Sequence, residues 1–187
     1  MTDPPVRPEL LTPRLRLRPF QAADAPAVAA LACRPEIADT TLNVPHPYTV
    51  AMAEEWIAGH EDAFEAGALA NFGLFQLEGA GLVGTVGLTL KPQHRRGELG
   101  YWIGVPFWGQ GYATEGAAAA LAFGFEQLRL NRITAGHFAG NEASGAVIRR
   151  IGMRHEGTLR QHVRKNARFV DIETYAILRE DWQAGNA

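Results

Sequence analysis

Apolar residues along this chain alternate with polar ones in some stretches and recur every three to four positions in others, marking strands and helices respectively. In "RLRLRPF" (14–20), Leu15 and Leu17 alternate with arginines, which predicts a half-buried strand stopped by Pro19. "DAPAVAALAC" predicts a helix that Asp24 opens, with Pro26 near the first turn. Residues 34–48, with Pro35, Pro45 and Pro47, predict a loop. "TVAMAEEWIAGHEDAFEAG" predicts a second helix, capped by Thr49 and closed by Gly67, with Val50, Ala53, Ile57 and Phe64 on one face.

Two strands follow, "NFGLFQL" (71–77) and "LVGTVGLTL" (82–90), joined by the turn "EGAG". A third β run is "ELGYWIGV" (98–105), followed by an alanine-rich helix, "TEGAAAALAFGFEQL" (114–128). "RITAGH" (132–137) is a short strand and "NEASGAVIRRIG" (141–152) a helix ending at Gly152. "RHEGTLRQHV" and "RFVDIETYAIL" form a hairpin around "RKNA". This order is mixed α/β with helical crossovers. A length of 187 residues predicts a single domain spanning 1–187.

Composition narrows the class without naming it. The hydrophobic fraction is 47%, the charged fraction 20% and the net charge −2, so nothing global points to nucleic acid or an anionic membrane. The single cysteine, Cys33, forms no intramolecular disulfide and suits a reducing compartment. "MTDPPVRPELL" lacks the apolar core of a signal peptide, and no run approaches the roughly 18 apolar residues of a membrane span. A cytoplasmic location is therefore expected. His46, His60, His94, His137, His155 and His162 show no HExxH or paired metal spacing, so no metal is expected. Acidic residues dominate 20–66 and basic ones 141–170, which suits either solvated helix faces or an acidic acceptor side opposite a basic side for an anion.

One stretch carries chemistry. "VPFWGQGYATEG" (105–116) places glycines between a strand and a helix, where glycine is costly. A helix opening near Tyr112 leaves its first N–H groups unpartnered, and with the dipole they make an anion site. Gly109 and Gly111 would let a phosphate reach the backbone, and Thr114 adds a hydroxyl; tight packing is the alternative reading. Neither the dinucleotide fingerprint nor the P-loop pattern is met. Gly116 reads as a helix–sheet packing glycine.

In the pieces "TPRLRLRPF", "GELGYWIGVPFWGQGYATEG", "NEASGAVIRRIGMRHEG" and "DIETYAIL", covering about residues 11 to 182, the chain resembles the GNAT superfamily of N-acetyltransferases, RimJ/RimL-like ribosomal-protein N-terminal type. The resemblance implies a mostly antiparallel sheet of about 6–7 strands, splayed between the 98–105 and 132–137 strands and flanked by about 4 helices. It implies acetyl-CoA as co-substrate, with its pyrophosphate on the backbone of Trp108, Gly109, Gln110, Gly111, Tyr112 and Ala113. It places the pantetheine arm along Trp102, Ile103, Gly104 and Val105, near Asn141 and Ser144, with Arg150 towards the adenosine phosphates. The tyrosine that many members use to protonate the thiolate is Ile148 here, leaving Ser144 or a water. Glu98 is the first candidate for general base, and backbone N–H groups of that strand, at a bulge, for the oxyanion. Tyr48, Trp56 and Phe72 are candidate walls for the acceptor, which enters from the two N-terminal helices. The implied reaction acetylates a primary amine: a peptide N-terminus, or a small polyamine, aminoglycoside or amino acid. A non-catalytic acyl-CoA-binding domain is the other class. The enzyme would act as a monomer or homodimer, without nucleic acid or membrane partners.

Overall fold

The computed structural model describes residues 7–79 and 81–185; the proline-rich start at 1–6, Ala80 of the "EGAG" turn and the last two residues lie outside the described residues. Strands β1 (Leu10–Leu11) and β2 (Leu15–Arg18) are followed by helices α1 (Ala25–Ala32), α2 (Pro35–Thr40), α3 (Val50–Ala58) and α4 (His60–Glu65). Then come β3 (Leu69–Gln76), β4 (Leu82–Lys91), β5 (Arg96–Ile103), α5 (Tyr112–Glu126) and β6 (Arg132–Phe138). The chain continues through α6 (Glu142–Arg150), β7 (Arg154–Lys165), β8 (Arg168–Leu178) and α7 (Arg179–Gly185). The strands form one sheet in the order β1-β2-β3-β4-β5-β6-β8-β7. Every neighbouring pair is antiparallel except β5–β6, which the α5 crossover makes parallel.

The mixed α/β sheet is as expected, and the differences are local. Eight strands stand in it against the expected 6–7, because Leu10–Leu11 adds an edge to β2. Seven α-helices occur among the described residues rather than about 4. Residues 35–40, expected as loop, form α2 because Pro35 sits in its first turn, where a missing N–H does no harm. The long helix expected over 49–67 breaks at Gly59 into α3 and α4. The third β run ends at Ile103, with Val105 in a single turn of 3₁₀ helix.

Thr49 caps α3 by accepting from the Met52 N–H, and Gly67 leaves α4 in a left-handed conformation. Helix α5 lies across β4 and β5, packing Leu121, Phe123 and Phe125 over Phe72, Val86 and Leu88. On the opposite face α1 and α3 cover Phe75 and Leu82 with Val28, Ala53 and Ile57. None of the described helices is long and apolar enough to cross a membrane.

Gly116 is one of two places where α5 closes on the sheet, the other being Gly124; a Cβ at Gly116 would stand 2.9 Å from a methyl of Leu74. Gly116→Val therefore overpacks the core and should lower unfolding free energy by about 1–3 kcal/mol, read as a lower urea midpoint at unchanged slope.

Candidate active site

Pairing of β5 with β6 runs from Arg96↔Arg132 to Leu99↔Ala135 and stops. Beyond it β5 keeps pairing with β4 as far as Ile103↔Gly84, while β6 pairs with β8. The backbone of β5 from Gly100 onward thus lacks a partner strand on one side. A cavity of about 850 Å³ opens at this split, walled by Val28, Tyr48, Trp56 and Trp102 on the side of the N-terminal helices. Register decides its floor. Leu69, Thr89, Glu98 and Thr134 form one row across four strands, and Asn71, Gly87 and Gly100 the next.

Phe72 is not part of that floor, contrary to expectation. Strand alternation turns it with Val86 to the α5 face, where it is 1% exposed and packs edge-on to Phe123 at 5.3 Å. Its neighbour Asn71 faces the cleft instead. Asn71 belongs to a buried polar chain: the Thr85 hydroxyl lies 3.2 Å from its Oδ1 and 2.8 Å from the Phe72 carbonyl, and its Nδ2 is 3.3 Å from His60 Nε2. His60 is 3% exposed, edge-on to Trp56 at 4.5 Å, and its Nδ1 has no partner. Burial, helped by the Arg7 charge, pulls its pKa down to about 4, so it is neutral at pH 7.

The charged side chains on the cleft wall are Glu98 and Glu156; no lysine or arginine lines it among the described residues. Glu156 is paired with Arg132, while the Glu98 side chain is exposed and makes no hydrogen bond or ion pair among the described residues. The acidic run at 20–66 does not reach the wall: Asp24 pairs with Arg18, Glu36 with Arg34 and Glu61 with Arg7. His162 lines the cleft, as does Ser144 of α6. Asn141 caps α6 by accepting from the Ser144 N–H at 3.2 Å. Ile148 is wholly buried. Tyr101, which the sequence reading passed over, sets its hydroxyl 2.9 Å from Ser144 Oγ across the split. Burial pushes the Tyr101 phenol up to about 12 against the opposing Ser144 hydrogen bond, so it keeps its proton through the working pH range. Arg150 is exposed at the end of α6 and does not line the cleft. The oxyanion bulge expected in the 98–105 strand is missing, since β4–β5 register is continuous; the register shifts fall at Val83 of β4, on its β3 side, and in β7 instead.

The glycine turn follows β5. Gly109 and Gly111 have φ of 73° and 83°, a region that side-chain-bearing residues avoid. The N–H groups of Gly109, Gln110, Gly111, Tyr112 and Ala113 donate to no protein acceptor among the described residues. Trp108 is 46% exposed, with its Nε1 donating back to the Ile103 carbonyl at 2.6 Å, and Gln110 Nε2 donates to Pro106 O. Thr114 lies in the first turn of α5, half-buried. The row of free amides and the αL glycines fit an approaching anion.

A sheet parted between its one parallel pair, with a glycine turn opening the next helix, defines an acetyltransferase of the GNAT kind. Residues 14–154 match the acetyltransferase (GNAT) domain model, and the chain belongs to that family. It is 31% identical over 173 residues to the uncharacterized N-acetyltransferase YoaA of Bacillus subtilis, covering 92% of this chain and 97% of that one. It is 26% identical over 121 residues to the ribosomal protein uS5-alanine N-acetyltransferase of Escherichia coli, covering 64% and 62% respectively. Among solved structures, a GNAT-family acetyltransferase from Bacillus anthracis superposes with a TM-score of 0.83 at 26% identity, over 92% of this chain and 99% of that one. RimL, a ribosomal L7/L12 α-N-protein acetyltransferase in complex with coenzyme A, superposes with a TM-score of 0.83 at 20% identity, over 90% and 96%, and shares the fold.

The His60 shift has a sign. The unfolded chain takes up a proton near pH 6.5, the folded one only near 4, so the stability from neutral His60 is full above pH 6.5 and is lost on acidification. Between pH 6.5 and 5 it should fall by about 2 kcal/mol, and His60→Phe should flatten that part of a urea-midpoint profile.

Proposed function

We propose that this chain transfers the acetyl group of acetyl-CoA to a primary amine, with both substrates meeting where β5 and β6 part. The observation that carries the reading is the run of unpartnered amides at Gly109–Ala113 adjoining the unpaired edge of β5. The donor pyrophosphate would rest on those amides. The pantetheine arm would pair with the backbone of Trp102–Val105 as an added strand. Trp108 would contribute backbone alone, its indole being engaged with Ile103.

The acceptor would enter between Tyr48 and Trp56, against a wall whose charges are carboxylates, which suits an amine. Attack of the neutral nitrogen on the thioester carbonyl forms the C–N bond and breaks the C–S bond. Glu98, directly or through water, takes the amine proton, and Ser144, held by Tyr101, protonates the thiolate. An α-amino group, with pKa about 7.7–8.0, needs less help than a lysine at about 10.4. A protein or peptide N-terminus is therefore the favoured acceptor, in keeping with the uS5-alanine acetyltransferase among the relatives. In this reading residues 1–187 act as one domain with its core at about 11–182, without a metal.

Incubating the protein with labelled acetyl-CoA and cell extract should release free thiol and label amines that mass spectrometry identifies; no thiol release with any peptide or small amine would instead indicate a non-catalytic domain. Glu98→Gln should lower kcat about 10²–10⁴-fold at unchanged CoA affinity. An unchanged kcat would exclude Glu98 as the base.

A further inference from the structure

The first turn of α5 holds a group at odds with an anion site. Glu115, its fourth residue, puts a carboxylate beside the amides that the proposed reading gives to a pyrophosphate. A negative charge there competes with the phosphate for the same positive helix end. Its side chain is 14% exposed and its oxygens are fully engaged. Oε1 accepts from the Thr12 hydroxyl at 2.6 Å and from the Arg14 N–H at 2.9 Å. Oε2 accepts from Arg14 Nε at 2.7 Å, with Nη2 at 2.6 Å. Burial works against the Glu115 charge, yet these bonds outweigh it and hold the carboxyl below the usual range, so it stays ionised.

Arg14 reaches past the carboxylate. Its Nη1 donates to the Gln110 carbonyl at 2.9 Å, and its Cζ stands 4.7 Å from the centre of the Tyr112 ring. Gln110 lies between the two left-handed glycines. In a trans peptide the C=O and the following N–H point opposite ways. Holding the Gln110 carbonyl on the Arg14 side therefore turns the Gly111 N–H to the other side. A Cβ at residue 111 would also come within 3.3 Å of Arg14 Nη2, so glycine leaves room for the guanidinium.

We propose that Arg14, far from the turn in sequence, is a positioning residue for the donor site: it cancels the Glu115 charge beside the pyrophosphate and aims the Gly111 N–H at it. The inference rests on the reading of the glycine turn as the donor site. It separates charge from mere bracing, because removing the carboxylate then helps the anion, whereas loosening a brace only harms it.

Calorimetric Kd values for CoA, with KM values for acetyl-CoA and for the acceptor, test it. Arg14→Met should weaken CoA binding about tenfold, with the loss in the KM for acetyl-CoA rather than for the acceptor. Glu115→Gln in that background should recover most of the loss. Glu115→Gln alone, although it removes an ion pair, should bind CoA at least as tightly as the unmodified protein. A double variant as weak as Arg14→Met, or a weaker Glu115→Gln, overturns the inference while leaving the donor reading intact. Failure of the unmodified protein to bind CoA overturns both.

Discussion

The parting of β5 from β6 is the constraint on which the rest of the site depends. Backbone N–H and C=O groups inside a sheet are ordinarily all paired, and here pairing ends after four registered positions, Arg96↔Arg132 to Leu99↔Ala135. The same pair is the one parallel junction in the sheet, and a parallel junction requires a crossover. That crossover is α5, so its N-terminus must begin just past the end of β5 where the strands diverge. Unpaired strand edge, glycine turn and helix amides are therefore brought together by one topological fact. The carboxylates of the cleft stand on the same two sides, Glu98 on β5 and Glu156 on β7.

Around that split the two faces of the sheet do different jobs. The α5 face is an apolar core in which Phe72, Leu88, Leu121 and Phe125 are almost wholly buried. The opposite face is only partly covered, by α1 and α3, and beside Leu69, Asn71 and Glu98 it presents small or hydroxylic residues: Thr85, Gly87, Thr89, Gly100 and Thr134. Gly100 shows the contrast, since a Cβ there would meet nothing within 4 Å, whereas at Gly116 it would strike Leu74. The first glycine keeps space open and the second lets helix and sheet close. Over the cleft, Lys165 from the β7–β8 hairpin donates to the Thr41 carbonyl at 2.5 Å, tying the segment after α2 to the far side of the sheet.

What could be read along the chain followed range. Element types came from local periodicity and were right for the strands and the main helices; the cap at Thr49 came from residue chemistry within a turn. Errors arose where a neighbour in space overrode the local signal. Gly59 looked tolerable inside one helix, yet the chain breaks there. Phe72 looked like a wall because it is large and aromatic, but a period of two sends Asn71 to the cleft. Tyr101 sat unremarked in a strand motif; only the approach of α6 across the split sets it against Ser144, 43 residues on.

The sequence by itself determined the family, the α/β order and the glycine turn, because these depend on spacings of a few residues and on the backbone freedom of glycine at Gly109 and Gly111. Only the tertiary structure decided which side of each strand faces the cleft, that His60 is neutral, that Asp24, Glu36 and Glu61 are engaged in ion pairs away from the cleft, and that Arg14 meets Glu115, 101 residues away. Those outcomes turn on register, desolvation and contacts between distant segments, which are properties of the packed chain that no local pattern encodes.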